Sequence, residues 1–373
     1  MVTLNRQLSP KIFGKRLIRS FVVYLLACSI VMSTGCNTDK TKRYTTHLIG
    51  YFDTVITLIG YCDQQKTFDR YVQMAEEEFS QLHQLCDRYH AYPDIANVRT
   101  INLNAGKQPV QVPEVLVELI QTALIWQEET EEGVNIALGS VLDIWHNYRT
   151  MGIADPGQAQ LPALEDLTEA DRHTDSQQIE INPAEKTVFL RETGMSLDLG
   201  ALAKGYATEK VAQKLIEAGW TSFAISSGGN VRTVGAPLGG DRNQWSIGIE
   251  DPNKDQNSDE NALIDTVYLT DGSVVTSGDY QRYYTVNGKR YHHIIDPETL
   301  MPADHFSSVT IVTEDSGWAD YLSTLLFVLP YDEGVIFAEE NPDVDVLWVF
   351  SDGQTQMTDG MASRLKSMGA VPD

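Results

Sequence analysis

The sequence predicts an α+β fold, with mixed or antiparallel sheets and helices packed on them. Two stretches in its first half, 68–89 and 113–129, carry apolar residues at helical spacing. From Ile179 onward the texture changes to short β-branched runs separated by glycine turns. Strands and helices do not alternate in the regular βαβ manner of a parallel sheet.

The elements follow in order. "THLIGYFDTVITLIGYC" (46–62) reads as strand, since Val55, Ile56 and Ile59 are β-branched and apolar. The helix "FDRYVQMAEEEFSQLHQLCDRY" (68–89) precedes a loop through Pro93 and Asn104-Ala105-Gly106. A second helix runs from Pro113 to Glu129. "GVNIALGSVLDIW" (133–145) leads to a polar loop expected from Gly152 to Ser176. "KTVFLRE" (186–192) and "MSLDLG" (195–200) read as strands, and Ala201 to Ala218 as a helix stopped by Gly219 in C-cap position. "TSFAISSGGNVRTVGAP" (221–237) is strand, glycine turn, strand; "WSIGIEDP" (245–252) is another strand before an acidic polar loop. Hairpins continue to Pro297, with Asn287-Gly288 a strong turn signal. "SSVTIVTED" (307–315) reads as strand, "GWADYLSTLLFVL" (317–329) and "EGVIFAEEN" (333–341) as helices, and "VDVLWVF" (344–350) as strand.

The first 35 residues are of another kind. They hold five basic residues, Arg6, Lys11, Lys15, Arg16 and Arg19, and no acidic one, before the apolar run Phe21–Met32 and Ser33-Thr34-Gly35-Cys36. A basic start, a short apolar core and a small-residue exit describe an export signal. Ending on Gly-Cys, it reads as a lipoprotein leader with Cys36 the lipidated residue; a plain signal peptide or an uncleaved anchor is the alternative. Residues 1–35 are thus expected to be leader, 36–47 a polar tether and 48–373 one domain, lipid-anchored on the extracytoplasmic side of a bacterial membrane. Without the leader's five, 23 basic side chains face 52 acidic ones, a net charge of −29. Such a surface repels nucleic acid and anionic lipid, so an anion site must be built locally. Cys62 and Cys86 allow at most one bridge in the domain.

Several groups could carry chemistry. His83, Cys86 and His90 fall on one face of the first helix, which suggests zinc, but a fourth ligand is missing and a buried Cys is ordinary. Asp320 and Thr324, at i and i+4 in a strongly apolar helix, suit a hard cation such as Mg²⁺; an N-terminal cap is the plainer explanation. His292 and His293 end a strand, one of them able to handle a proton or to be merely packed. "SSGGN" (226–230) could make an anion nest or simply turn a hairpin. "DLGALAKGYATEK" (198–210) turns from strand to helix through Gly200, with Lys204 and Gly205 in the first turns. Helix amides and Lys204 could face an anion there, and Asp198 would then require a metal or a ligand's hydrogen-bond donor.

Seven motifs in this order resemble the ApbE family of flavin transferases (FAD:protein FMN transferases). They are "FDT" (52–54), "GVNIALGSVLDIW" (133–145), "DLGALAKGYATEK" (198–210), "SSGGNVR" (226–232), "TSGDYQR" (276–282), "HIIDPETLMPA" (293–303) and "ADYLST" (319–324). The resemblance implies Mg²⁺-dependent transfer of FMN from FAD to a Thr or Ser hydroxyl of an acceptor protein, with release of AMP. It implies acceptors of the RNF or sodium-translocating NADH:quinone reductase type, or other extracytoplasmic flavoproteins. It places metal ligands at Asp320, Thr324 and the Ala201 carbonyl. FAD contacts fall at Phe52, Tyr89, Gly133, Val134, Asn135, Asp198, Lys204, Thr276, Ile294 and Ile295. His293 or Asp198 would accept the hydroxyl proton. Phe52, Asn135 and Asn230 stand where the family usually has Met, Asp and Asp. The same site could instead hydrolyse FAD to FMN and AMP, and a non-enzymatic flavin-binding lipoprotein is the third reading.

Overall fold

Fifteen strands are described in the computed structural model, which covers residues 41–130, 133–240, 242–253 and 262–371. The expected leader, Cys36 and the tether up to residue 40 lie outside the described residues. In chain order the strands are β1 (Lys42–Tyr51), β2 (Thr54–Cys62), β3 (Val110–Gln111), β4 (Ile179–Asn182), β5 (Thr187–Leu190), β6 (Phe223–Ser227), β7 (Asn230–Val234) and β8 (Trp245–Glu250). They continue with β9 (Leu263–Leu269), β10 (Gly272–Gly278), β11 (Tyr283–Val286), β12 (Lys289–His292), β13 (Phe306–Thr313), β14 (Asp345–Phe350) and β15 (Thr355–Met357). The helices are α1 (Gln65–Cys86), α2 (Val98–Leu103), α3 (Glu114–Glu129), α4 (Gly139–Ala154), α5 (Leu164–Asp171), α6 (Ala203–Glu217), α7 (Ser316–Val328), α8 (Tyr331–Glu340) and α9 (Asp359–Arg364).

Eight strands form the main sheet in the order β1-β2-β6-β7-β10-β13-β14-β15, each antiparallel to its neighbours. The antiparallel expectation therefore holds. Both faces of the sheet centre are covered, which explains why β10, β13 and β14 are buried along most of their length and why β14 reads as a nearly continuous apolar run. Val275, Val309, Ile311, Val346 and Trp348 face the main core beneath the helices. Their strand neighbours Val274, Val312, Leu347 and Val349 pack on Ile249, Val267 and Met361 of β8, β9 and α9. The period of two in a strand puts successive side chains on opposite faces. A third cluster joins α4 to the β11–β12 hairpin through Trp145, Tyr284 and Leu300, with the Trp145 indole N–H donating to the Leu300 carbonyl at 2.9 Å.

Several expected elements differ. The stretch 46–62 is a hairpin rather than one strand: Phe52 and Asp53, both in the left-handed region, turn β1 into β2. Such a two-residue turn matches strand twist but disfavours a bulky residue. β1 already begins at Lys42, inside the stretch expected to be tether. α1 stops at Cys86, so Tyr89 and His90 lie beyond it and the expected His83–Cys86–His90 face does not form. "MSLDLG" is not a strand. Only Ser196 bridges Leu138, while Leu197 N–H donates to the Asn102 side chain and Asp198 N–H to the Ile136 carbonyl. The expected loop from Gly152 to Ser176 contains α5, whose eight residues bury only Leu167, too little apolar periodicity to announce a helix. Cys62 and Cys86 are both free thiols, and burial pushes them up to about 11 and about 12.

α6 and α7 cross at a glycine. A Cβ at Gly205 would stand 2.2 Å from the Ser316 carbonyl oxygen and 2.5 Å from Asp320 Cβ. Neither neighbour is a flexible side-chain end, so the helices would have to separate. Gly205→Ala is expected to cost about 1–3 kcal/mol despite its better helix propensity. Urea unfolding measures it, and an unchanged midpoint would show that the crossing is looser than described.

Candidate active site

The crossing brings the two halves of the site together. Asp320 sits in the second turn of α7 and is 3% exposed. It is not the cap, because Asp315 takes that role by accepting from Trp318 N–H at 2.8 Å. Asp320 Oδ2 instead accepts the Gly205 N–H at 2.8 Å, and Oδ1 lies 3.3 Å from Lys204 Nζ. Ser323 Oγ donates to the Asp320 carbonyl and meets Ser277 Oγ, each at 2.8 Å, tying α7 to β10. Thr324 lies one turn beyond Asp320 and is half-buried. Its hydroxyl has no hydrogen-bond partner among the described residues. Ala201 is at the turn entering α6, two residues ahead of its first helical position.

A second node lies at Asp198. Its Oδ2 pairs with Arg88 and its Oδ1 accepts the Gly200 N–H at 2.7 Å. The buried Arg88 guanidinium also pairs with Asp143 at 2.6 Å and donates to the Gly139 carbonyl and to Ser196 Oγ, both at 3.0 Å. Burial is the largest influence on Asp143 and raises its carboxyl above the ordinary range; Arg88 opposes this, and Asp198 adds to it.

α4 supplies a wall that the sequence reading did not identify. Asp143, His146 and Arg149 are half-buried at successive i+3 positions. His146 stacks on Tyr89 with ring centres 4.7 Å apart. Its Nδ1 is 3.3 Å from the Arg149 guanidinium and 3.4 Å from the Tyr89 hydroxyl. Arg149, Arg282 and Lys204 also bear on His293. Burial first, then those charges, hold its imidazole well below its ordinary 6.5, and its Nδ1 is buried without a partner among the described residues. Neither Arg149 nor Arg282 has a carboxylate partner among the described residues. A protein of net charge −24 thus concentrates three cations around a neutral histidine.

The adjacent His292 is structural. Its Nε2–H donates to the Ala303 carbonyl at 2.7 Å, while Nδ1 accepts from Ile294 N–H at 3.2 Å. His83 serves similarly, its Nδ1 accepting the Phe52 N–H at 3.2 Å and steadying the strained hairpin tip. Thr54 of the same hairpin fills the space that a side chain at Gly228 would need. Among the described residues, no three His, Cys, Asp or Glu side chains gather as a metal site.

The other expected contacts are placed unevenly. Thr276 pairs its hydroxyl with Thr310 at 2.9 Å. Gly133 packs so closely on Leu325 that a Cβ would come within 2.3 Å of it. Val134, Ile294 and Ile295 bury their side chains in core clusters. Asn135 is committed locally, donating to the Thr174 carbonyl at 2.8 Å and accepting Ala137 N–H at 2.8 Å. Arg88, Asp143, His146 and Arg149 were missed. The i+3 spacing of the last three along α4 was the available signal, masked by the apolar motif that surrounds it.

Neutral, buried His292 makes stability depend on pH. Burial lowers its value to about 4, against 6.5 in the unfolded chain. Between those values the unfolded state binds the extra proton, so stability falls as pH falls, by up to about 3 kcal/mol. Urea unfolding at the two ends of that window should show a smaller loss for His292→Gln than for wild type. Equal losses would remove His292 as the source.

The ApbE family model matches residues 52–348. The FAD:protein FMN transferase of Treponema pallidum is 34% identical over 307 residues, covering 79% of this chain and 82% of that protein. One from Klebsiella pneumoniae is 34% identical over 275 residues, covering 72% of this chain and 81% of that protein. Among solved structures, the ApbE protein of Thermotoga maritima superposes with a TM-score of 0.74 at 28% identity, covering 86% of this chain and 98% of that one. The flavinyl transferase ApbE of Pseudomonas stutzeri, at 22% identity, shares the fold with a TM-score of 0.70, covering 89% of this chain and 98% of that one. With its motifs in family order and the family match spanning most of its length, the chain belongs to the ApbE family.

Proposed function

We propose that this chain is a FAD:protein FMN transferase that moves the FMN portion of FAD to a Thr or Ser hydroxyl of an acceptor protein and releases AMP. The observation that carries the reading is the buried Asp320 carboxylate 3.3 Å from Lys204, whose charge, with those of Arg149 and Arg282, bears on His293. Those cations supply the local positive field that a pyrophosphate requires in so acidic a protein.

The donor set fits Mg²⁺. Asp320, Thr324 and the Ala201 carbonyl are hard oxygen donors with a single carboxylate among them, and Mg²⁺ characteristically completes its shell with water and substrate phosphate. When bound, Mg²⁺ would offset the charge of the pyrophosphate. Lys204, Arg149 and Arg282 orient the phosphates. His293, neutral and with an unpartnered nitrogen, takes the acceptor's hydroxyl proton as the new P–O bond forms and the P–O bond to AMP breaks. Asp198 suits this role less, since both its oxygens are engaged, Oδ2 by Arg88 and Oδ1 by the Gly200 N–H. Its place is to hold the nucleotide. The leader at 1–35 and Cys36 support a lipid-anchored enzyme of the cell envelope, with acceptors among extracytoplasmic flavoproteins of the RNF or sodium-translocating NADH:quinone reductase type.

Incubation of the domain with FAD, Mg²⁺ and an acceptor domain should give a mass increase of one FMN on the acceptor. FMN and AMP without an adduct would indicate a hydrolase, and binding without products a flavin carrier. Asp320→Ala is expected to lower turnover by about 100-fold or more; full activity would remove the metal assignment. The depressed His293 value keeps its basic form present below the ordinary 6.5. kcat/KM for FAD should therefore stay flat from about pH 8 to about pH 6. A fall centred on the ordinary value would exclude the neutral imidazole described.

A further inference from the structure

We propose that the tip half of the β1–β2 hairpin is the surface on which the acceptor protein docks, with Ile49 and Val55 as its apolar anchors. The inference rests on the flavin-transfer reading, which requires a protein segment to reach the site, and it assigns the face that receives that protein. β1 forms one edge of the main sheet. Leu48, Ile56 and Leu58 turn into the main core, so their strand neighbours occupy the outer face. Four cross-strand pairs line that face, from Arg43–Tyr61 to Ile49–Val55. Tyr61, at the far end, packs on Trp245 with ring centres 6.0 Å apart. Cover fades toward the tip, where Ile49 is 77% exposed and Val55 52% exposed. Two large apolar side chains paired across strands in water make a patch that a partner surface stabilises by burying it.

The tip adjoins the site on two sides. On one, His83 accepts the Phe52 N–H and meets the Tyr92 hydroxyl at 3.4 Å; that hydroxyl donates to Asp87 at 2.7 Å, one residue before Arg88. On the other, Thr54 packs against Gly228, and the preceding Ser227 lies 3.0 Å from the Thr208 hydroxyl, which donates to the Lys204 carbonyl at 2.7 Å. The charge of the face identifies the partner's chemistry. None of the residues in the four pairs is acidic, although the chain has 52 acidic against 28 basic side chains. Arg43 and His47 are exposed on it. An acceptor whose contact surface is apolar with an acidic rim is therefore not repelled here, as it is by the rest of so acidic a protein. The preceding chain enters β1 at Lys42, about 30 Å from the tip by strand rise, so it attaches at the far end of the hairpin.

Transfer by the full chain to an acceptor domain of the sodium-translocating NADH:quinone reductase type, followed by mass, tests the surface. Ile49→Glu and Val55→Glu should each raise KM for that domain about tenfold, the effect of losing one interface anchor. Affinity for FAD, and kcat at saturating acceptor, should stay as in wild type. Arg43→Glu should raise the same KM more at low salt than at high salt. Ile336→Glu, at a similarly exposed apolar position on α8, should change nothing. An unchanged KM in both hairpin variants, an equal rise in Ile336→Glu, or a parallel loss of FAD affinity would each overturn the docking surface. So would a wild-type dimer that Ile49→Glu dissociates, or phosphatidylglycerol vesicles that bind wild type and not Ile49→Glu, since a second copy or lipid would then cover the patch. A wild-type chain that yields no adduct would overturn the flavin-transfer reading and the surface with it, whereas wild-type transfer with unaffected hairpin variants would overturn the surface alone.

Discussion

One close approach organises the molecule: Gly205 of α6 lies directly against Ser316 and Asp320 of α7. Because no side chain intervenes, the Gly205 N–H reaches the Asp320 carboxylate. A buried carboxylate is costly unless donors surround it, and here a backbone amide and Lys204 share the task. The same contact joins segments more than a hundred residues apart. The surroundings of Asp320 and the packing of the core are therefore set by one helix crossing.

Charge is managed by separation. Arg88 serves Asp143 and Asp198 together, so that arginine is neutralised within a buried network. Glu209 likewise holds Arg232 at 2.9 Å and accepts the Ser316 N–H at 3.0 Å, at the start of the helix that carries Asp320. Arg149 and Arg282 are left without carboxylates among the described residues, and their field acts on His293. An acidic protein thus keeps a local positive field around His293, because Arg149 and Arg282 have no carboxylate partner among the described residues.

Much of the fold was legible in local pattern. The helices α1, α3, α6 and α7 were visible in their apolar spacing, and β13 and β14 in their β-branched runs. The hairpin tip at Phe52 was not, because neither Phe52 nor Asp53 advertises a left-handed turn; tertiary support from His83 holds it there. α5 was hidden by its polarity. In the site, Asp320 and Thr324 could be found as a helical pair, but only the structure separates Asp320 from the cap formed by Asp315. Arg88 could not be read as a hub, since its partners come from loops and helices distant in sequence.

The two free cysteines bear on biogenesis. Cys62 is fully packed and Cys86 nearly so, and both thiols hold their protons well above neutral pH. Their thiolate fractions are minute, so neither attacks disulfides or oxidants readily while the domain is folded. Among the described residues the fold draws no stability from a disulfide. The described domain can therefore reach the same contacts in a reducing or an oxidising compartment.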